Sequence, residues 1–424
     1  MMNILMMTNT YLPHVGGVAR SVAAFTKELR RKGHRVIVVS PEFDKASDDE
    51  EDIIRVPAIQ HFNGSDFSAM IPIPGFLETH LQDFQPDIVH SHHPFLMGST
   101  AIRVAAKHET PLVYTQHTMF EEYTHYVPLD LPKMKPFVVS LCTGYANMAD
   151  HVVAPSHSVA RILKERHVKT PIETIPTGIF IDEFEQGDGH AVRDSLNIPR
   201  EAFVVGHVGR LAPEKNLDFL SEAVAIFLQD EPEAHFLIVG YGPSEKNMLD
   251  LFTQRGLQNQ VHFLGKKDGQ DLVDAYHAMD VFAFSSKSET QGLVLTEAMA
   301  VSAPAVALDA SGVRDVVQDQ MNGYLLHDEH VDAFAEALKK IYRLPQSTRQ
   351  HFITETKRTT DNYSMKNCAS KMVSVYQKLL KSHVTNSDKD ESVWHKSIEQ
   401  IKAEWELFSN LTSAVGEALT ENTS

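Results

Sequence analysis

Two acids, Glu289 and Glu297, stand eight positions apart in the stretch Ser285-Ser286-Lys287-Ser288-Glu289-Thr290-Gln291-Gly292-Leu293-Val294-Leu295-Thr296-Glu297-Ala298-Met299-Ala300. The apolar run Val281-Phe282-Ala283-Phe284 before it reads as a buried parallel strand. The apolar segment after Gly292 reads as a helix, with Glu297 about two turns inside it. A polar loop thus leaves the C-terminal end of a strand and opens onto a helix N-terminus, the end of an open α/β sheet where ligands bind. Unpaired N–H groups from Leu293 to Leu295 would face an anion. Carboxylates on either side of such an anion are placed to hold hydroxyls. Taken alone, this spacing more often means a loop acid and a capping or surface acid, so its weight rests on the neighbouring motifs.

Cations occupy the corresponding place after an earlier strand. Phe203 to Val208 reads as a strand, and Gly209-Arg210-Leu211-Ala212-Pro213-Glu214-Lys215-Asn216 follows it. Arg210 and Lys215 suit the stabilisation of a departing phosphate, since charge developing on a leaving group calls for fixed cations and helix N-terminal amides. The strands His235–Val239 and Gln260–Leu264 end in Gly240-Tyr241-Gly242-Pro243 and Gly265-Lys266-Lys267, which adds Gly242 and Lys266 to the candidate set. In the first half, Asn3–Met7 leads into a loop with Gly16-Gly17, where backbone can approach a ligand closely. That loop is not a Gly-x-Gly-x-x-Gly fingerprint, so no nicotinamide cofactor is indicated. The strand Leu112–Thr115 is followed by Gln116-His117-Thr118-Met119-Phe120-Glu121-Glu122-Tyr123-Thr124-His125-Tyr126, which makes His117 the candidate from this half.

The Glu-x7-Glu spacing together with Gly-Arg-…-Lys-Asn resembles the retaining glycosyltransferases of family four, which have the GT-B fold. The resemblance spans roughly residues 3 to 380 and implies two Rossmann-like domains facing a cleft. It implies that Arg210 and Lys215 hold the diphosphate of a nucleotide sugar, that Glu289 contacts the donor sugar and that Glu297 contacts the ribose. It also implies that His117 touches the sugar, and that Gly16, Gly17, Gly242, Lys266, Gly292, Leu293 and Val294 complete the donor site. The segment after His117 is similar to the members that glucosylate diacylglycerol, with Phe120 and Glu122 as mild departures. The implied activity is transfer of a hexose, glucose in the first instance, from a UDP-sugar to a membrane lipid such as diacylglycerol. A polysaccharide or soluble acceptor, or a non-catalytic or epimerase-like nucleotide-sugar binder, is the alternative. A front-face, retaining displacement follows from the resemblance, with Glu121 and Glu122 as the only carboxylates near His117 for a covalent route.

The elements that must position these residues alternate strand and helix, which implies parallel sheets covered on both faces. We expect an N-terminal domain over 1–184, a linker at Glu185–His190, a second domain over 191–360, a helix over 361–380 returning to the first domain, and an amphipathic helix over 391–419. The last, bearing Trp394 and Trp405, is open to docking on its own chain, a homodimer or a membrane. The 424 residues carry a formal charge of -17, which argues against nucleic acid as a partner. Two cysteines fit a reducing cytoplasm. No apolar run reaches the roughly 18 residues of a membrane span, and with a first strand expected from Asn3 no signal peptide is expected. Lys133 and Lys135 among the apolar residues Leu131 to Leu141 suit peripheral contact with an anionic inner membrane face. No metal is expected. His90, His92 and His93 have no nearby cysteine or carboxylate to complete a site, and the Asp388–Asp390 pair lies in a polar tail.

Overall fold

A computed structural model describes residues 1–14, 16–43, 51–59, 69–70, 75–121 and 134–385. Contacts divide the chain into two units. One holds residues 1–154, 160–175 and those from 371 on; the other holds 155–159 and 176–370. The amphipathic stretch at 391–419, Asp388–Asp390 and the segment Glu122–Lys133 lie outside the described residues.

The first unit is built on a parallel sheet. Its strands are β1 (Asn3–Met7), β2 (Arg35–Pro41), β3 (Ile53–Val56), β6 (Ile88–Ser91), β7 (Leu112–Thr115), β8 (His151–Ala154) and β9 (Ile172–Thr174). Their order is β3-β2-β1-β6-β7-β8-β9. The short β4 (Ala58–Ile59) and β5 (Ala69–Met70) pair antiparallel beside it. Helices α1 (Gly17–Arg31), α2 (Phe76–His80), α3 (Met97–Lys107), α4 (Met134–Met148) and most of α5 (His157–Glu165) connect the strands. Ile4, Leu5, Met6 and Met7 are fully buried, as a sheet covered on both faces demands. Strand order reverses between β1 and β6, which makes their C-terminal ends a switch point.

The second unit repeats the plan with β10 (Val204–Val208), β11 (His235–Val239), β12 (Val261–Phe263), β13 (Val281–Phe284), β14 (Ala305–Leu308) and β15 (Gly323–Leu326), ordered β12-β11-β10-β13-β14-β15 and all parallel. The period of two along each strand splits its side chains between two cores. Val205, Phe236, Ile238, Val281, Ala283, Val306 and Leu308 pack on one face beside α7 (Leu217–Asp230), α8 (Glu245–Gln254) and α12 (Val331–Tyr342). Val204, Leu237, Val239, Phe282, Phe284, Ala305 and Ala307 face the other way, toward α9 (Gly269–His277) and α10 (Leu293–Ala300). Strand order here reverses between β10 and β13. Asp188, in the stretch Glu185–His190, lies in this unit and caps α6 (Gly189–Ser195) by accepting from the Ala191 amide at 2.9 Å.

Three expectations need correction. Helix α10 starts at Leu293, so Glu297 lies little more than one turn inside it, not two. The helix expected from Asp361 is α14, Met365–Thr385; before it, α13 (Gln346–Asn362) ends and the chain extends. Ile179 holds that extension, donating to the Tyr363 carbonyl and accepting from the Met365 amide, and an extended pairing cannot be helical. Strands β3 and β15 extend the two sheets beyond the strands read from the sequence, as does α11 (Val313–Val316) among the helices. Among the described residues no helix is long and apolar enough to cross a membrane.

Candidate active site

The second unit's switch point carries ions. The 209–216 loop leaves β10 and the 285–292 loop leaves β13, so neighbouring strands deliver them side by side. Lys215 Nζ forms an ion pair with Glu289 Oε1, with side chains 20% and 17% exposed. The two expected groups are thus brought together, each holding the other. Arg210, two residues past β10, is exposed, and its side chain has no ion-pair or hydrogen-bond partner among the described residues. Below them, His207 is fully buried between Phe282 and Phe284. Its Nδ1–H donates to the Ala283 carbonyl at 3.1 Å, and burial pushes its pKa down to about 4. The floor of the site is therefore neutral.

Tethers fix both loops. Ser285 Oγ donates to the carbonyls of Lys215 and Asn216 at 2.8 and 3.0 Å. Gln291 grips Thr177 twice: its Oε1 accepts from the Thr177 amide at 2.6 Å and its Nε2 donates to the Thr177 carbonyl at 2.7 Å. Glu329 accepts from Asn216 Nδ2 at 2.6 Å and pairs with Lys287, and these bonds hold its pKa below the usual carboxylate value. Gly292, at φ 72°, turns the chain into α10 with no side chain capping the first-turn amides. Those amides, of Leu293 and Val294, have no partner within the helix and carry its positive end. Glu297 is 1% exposed and accepts from Tyr276 OH at 2.7 Å.

The 240–244 loop is stitched to the cationic one. Leu211 N–H donates to Tyr241 C=O at 2.9 Å, Ser244 N–H to Leu211 C=O at 2.9 Å, and Gly240 N–H to Gly265 C=O at 2.8 Å. Gly242 has φ 155°, and a Cβ there would lie 2.3 Å from the Leu211 oxygen, so only glycine permits this approach. Lys266 follows β12 and is exposed, on the far side of β11 from Lys215 and Glu289 in strand order.

In the first unit the switch point carries neutral imidazoles. His90 and His92 share one face of β6 and its end, their rings stacked at 4.3 Å. His90 bonds Tyr376 OH at 2.6 Å and Thr115 Oγ1 at 2.7 Å. His92 Nδ1 lies 2.9 Å from His117 Nε2, and His92 Nε2 lies 3.1 Å from Met6 Sδ. His93 Nδ1 accepts from the Asn9 amide at 3.1 Å. Burial lowers the pKa of His90 and His93 to about 3 and of His117 to about 4, and holds His92 well below its usual value. Asn9 bridges the two strand ends through the Met97 amide and the Phe95 carbonyl. Gly16 precedes α1 in extended backbone, and a Cβ on Gly17 would meet nothing within 4 Å. The chain's own packing therefore does not demand glycine at 17. Buried Glu121 is paired with Arg166 at 2.5 Å.

Residues 190–359 match the family described as Glycosyl transferases group 1, and residues 15–183 match Glycosyltransferase Family 4. The alpha-monoglucosyldiacylglycerol synthase of Streptococcus pneumoniae is 30% identical over 353 residues, covering 80% of this chain and 78% of that protein. The chain belongs to the family-four glycosyltransferases. A synthase of the same name from Acholeplasma laidlawii is 29% identical over 337 residues, 76% of this chain and 84% of that one. The crystal structure of Anabaena HepE in complex with UDP superposes with a TM-score of 0.72 at 20% identity, covering 89% of this glycosyltransferase and 100% of that chain. That likeness speaks for the GT-B fold.

Within the glycosyltransferase, Arg210, Lys215, Glu289 and the start of α10 are gathered at the second unit's switch point. His117 belongs to the first unit's imidazole cluster. Sequence reading missed the residues that hold these groups, chiefly Tyr276, Gln291, Glu329 and His92. A tyrosine in the last turn of a helix and a glutamine in a loop carry no local signal of their partners.

Proposed function

We propose that this glycosyltransferase moves a hexose, glucose in the first instance, from a UDP-sugar to diacylglycerol in a membrane, with retention of configuration and without a metal. The observation that carries this reading is that the two relatives above share one printed name, alpha-monoglucosyldiacylglycerol synthase, and align along more than three quarters of their own lengths. In this reading the donor diphosphate meets Arg210, Lys215 and the first-turn amides of α10, with Gly242 and Lys266 along the same edge. Lys215 exchanges Glu289 for phosphate, which releases Glu289 toward the sugar. Glu297, steadied by Tyr276, meets the ribose. Gly16, Gly17 and His117 keep the donor-site roles that the family resemblance implies. Cations and amides fixed before the reaction stabilise the departing diphosphate without reorganising.

Front-face departure follows the resemblance; of the two carboxylates near His117, Glu121 is engaged by Arg166 and Glu122 lies outside the described residues. The lipid acceptor places this chain at the inner face of the cytoplasmic membrane as a peripheral protein. Support comes from Lys135, exposed in the first turn of α4, where the helix dipole disfavours a cation and an anionic surface would favour one. The test is release of nucleotide across UDP- and GDP-sugars, with diacylglycerol, soluble sugars or no acceptor. Release from UDP-glucose that requires diacylglycerol is the expected result, and it persists in a chelator. Release with a soluble acceptor alone, or loss restored by magnesium or manganese, overturns the corresponding part.

A further inference from the structure

His93 stands two residues past β6, at the first unit's switch point, and is 6% exposed. Its Nδ1 accepts the Asn9 backbone N–H at 3.1 Å. A backbone amide only donates, so Nδ1 carries no hydrogen. An imidazolium has no acceptor, so this bond itself makes the ring neutral and puts its one hydrogen on Nε2. The Thr8 hydroxyl, 3.4 Å from Nδ1, does not alter this, because its hydrogen goes to the Thr10 carbonyl at 2.9 Å. Among the described residues Nε2 has no hydrogen-bond partner. The Phe120 ring, 6.4 Å away between centroids, is too distant for the N–H to close on its face. The rest of the residue is fixed. Pro94 follows it, the Ser91 hydroxyl donates to its carbonyl at 2.9 Å, and a Cβ on Gly98 would lie 2.2 Å from that carbonyl oxygen. A rigid, buried N–H is costly to leave without an acceptor, and a ligand can supply one.

We infer that His93 is a specificity-determining residue whose Nε2–H donates to an ester carbonyl of the lipid acceptor. The choice of ligand rests on the function proposed above; the tautomer does not. A ligand at a sheet's switch point meets the loops that end there. The groups gathered at this one, Thr8, Asn9, His92 and His93, carry no charge, which suits a neutral diacylglycerol. Its reacting hydroxyl must lose a proton, and a donor bound to that oxygen would oppose the attack. Its ester carbonyls only accept, so one of them matches the Nε2–H.

The test compares dioctanoylglycerol with its ether counterpart, dioctylglycerol, as acceptors for the full chain with UDP-glucose, both lipids dispersed in the same detergent. We expect a KM about tenfold lower for the ester, the worth of one hydrogen bond. In His93→Asn the amide oxygen stands near the place of Nδ1 and satisfies Asn9, but no donor reaches as far as Nε2, so the ester preference disappears. In His93→Gln the longer amide places an N–H near Nε2, and the preference returns. UDP affinity in calorimetry is the same in both variants. An ester preference intact in His93→Asn overturns the inference and leaves diacylglycerol as the acceptor. So does the absence of any preference in the unaltered chain, a comparison that needs no variant to fold. Turnover with neither lipid overturns the proposed function and this ligand with it.

Discussion

The two units use one scaffold and furnish it differently. In each, parallel strand order reverses beside the first strand of the unit, and loops from the two strands flanking that reversal come together. At the β10–β13 reversal these loops carry Arg210, the Lys215–Glu289 pair and the Lys287–Glu329 pair. At the β1–β6 reversal the gathered groups are His92, His93, Thr8 and Asn9, uncharged, with His93 bonded to Thr8 and Asn9 and His92 in contact with His117 and Met6. A sheet's switch point supplies a place for a ligand but not its charge. The loop residues decide that, and among the described residues the ion pairs gather at the second unit's switch point.

The widest test of this contrast is acid. The folded first unit disfavours protonation of His90, His92, His93 and His117, while the unfolded chain takes up protons near its ordinary value of 6.5. The unfolded state therefore binds more protons below that pH. Stability is intact above about 6.5 and falls as the pH drops toward 4, by about 1.4 kcal/mol per pH unit for each histidine. The second unit has one fully buried counterpart, His207. Hydrogen exchange read by unit between pH 7 and 5 should show the first unit opening earlier; the reverse order would remove the contrast.

Charge removal comes next. Arg210→Ala and Lys215→Ala should each lower turnover about 100-fold, with Lys215→Ala the worse because it also strips Glu289 of its partner. Neither should move the melting temperature of the first unit. Steady-state kinetics with near-normal turnover in either would strike that residue from the diphosphate site. The acids should divide more finely. Glu297→Gln should weaken UDP binding about tenfold, and Glu289→Gln should slow transfer with binding little changed, as expected when one partner is present in the ground state and the other gains in the transition state. Equal UDP affinity in calorimetry of wild type and Glu297→Gln would end the ribose assignment. The smallest effect is at the membrane. Lys135→Gln should cost about 1 kcal/mol of binding to anionic vesicles, shrinking with salt, and nothing to neutral ones. Sedimentation showing no change would move the contact off α4.

What was legible in the sequence follows from range. The Val281–Phe284 strand, the polar loop and the α10 helix form a contiguous pattern, so their order could be read from periodicity, and Arg210 and Lys215 followed from their place after β10. The partners that hold the site are set by topology instead. Gln291 meets Thr177 across 114 positions, and His92 meets His117 only because β6 and β7 are adjacent. Glu297 beside Tyr276 is a contact between α10 and α9 that neither helix announces. The break before α14 escaped notice for the same reason: Tyr363 and Ser364 read as helix until Ile179 draws them into an extended pairing. Strand β3, which includes a charged Arg55, lacks the continuous apolar run that marked the inner strands.

The loop carrying Glu289 is fastened at Ser285 and again at Gln291, with five residues between. Its length is therefore a fixed quantity, while the identities of Lys287, Ser288 and Thr290 are less constrained. A single inserted or deleted residue in that span would force one fastening to release or shift Glu289 along the loop by one residue. Variation during evolution, or by a designer, should run through substitutions there and leave gaps to other loops.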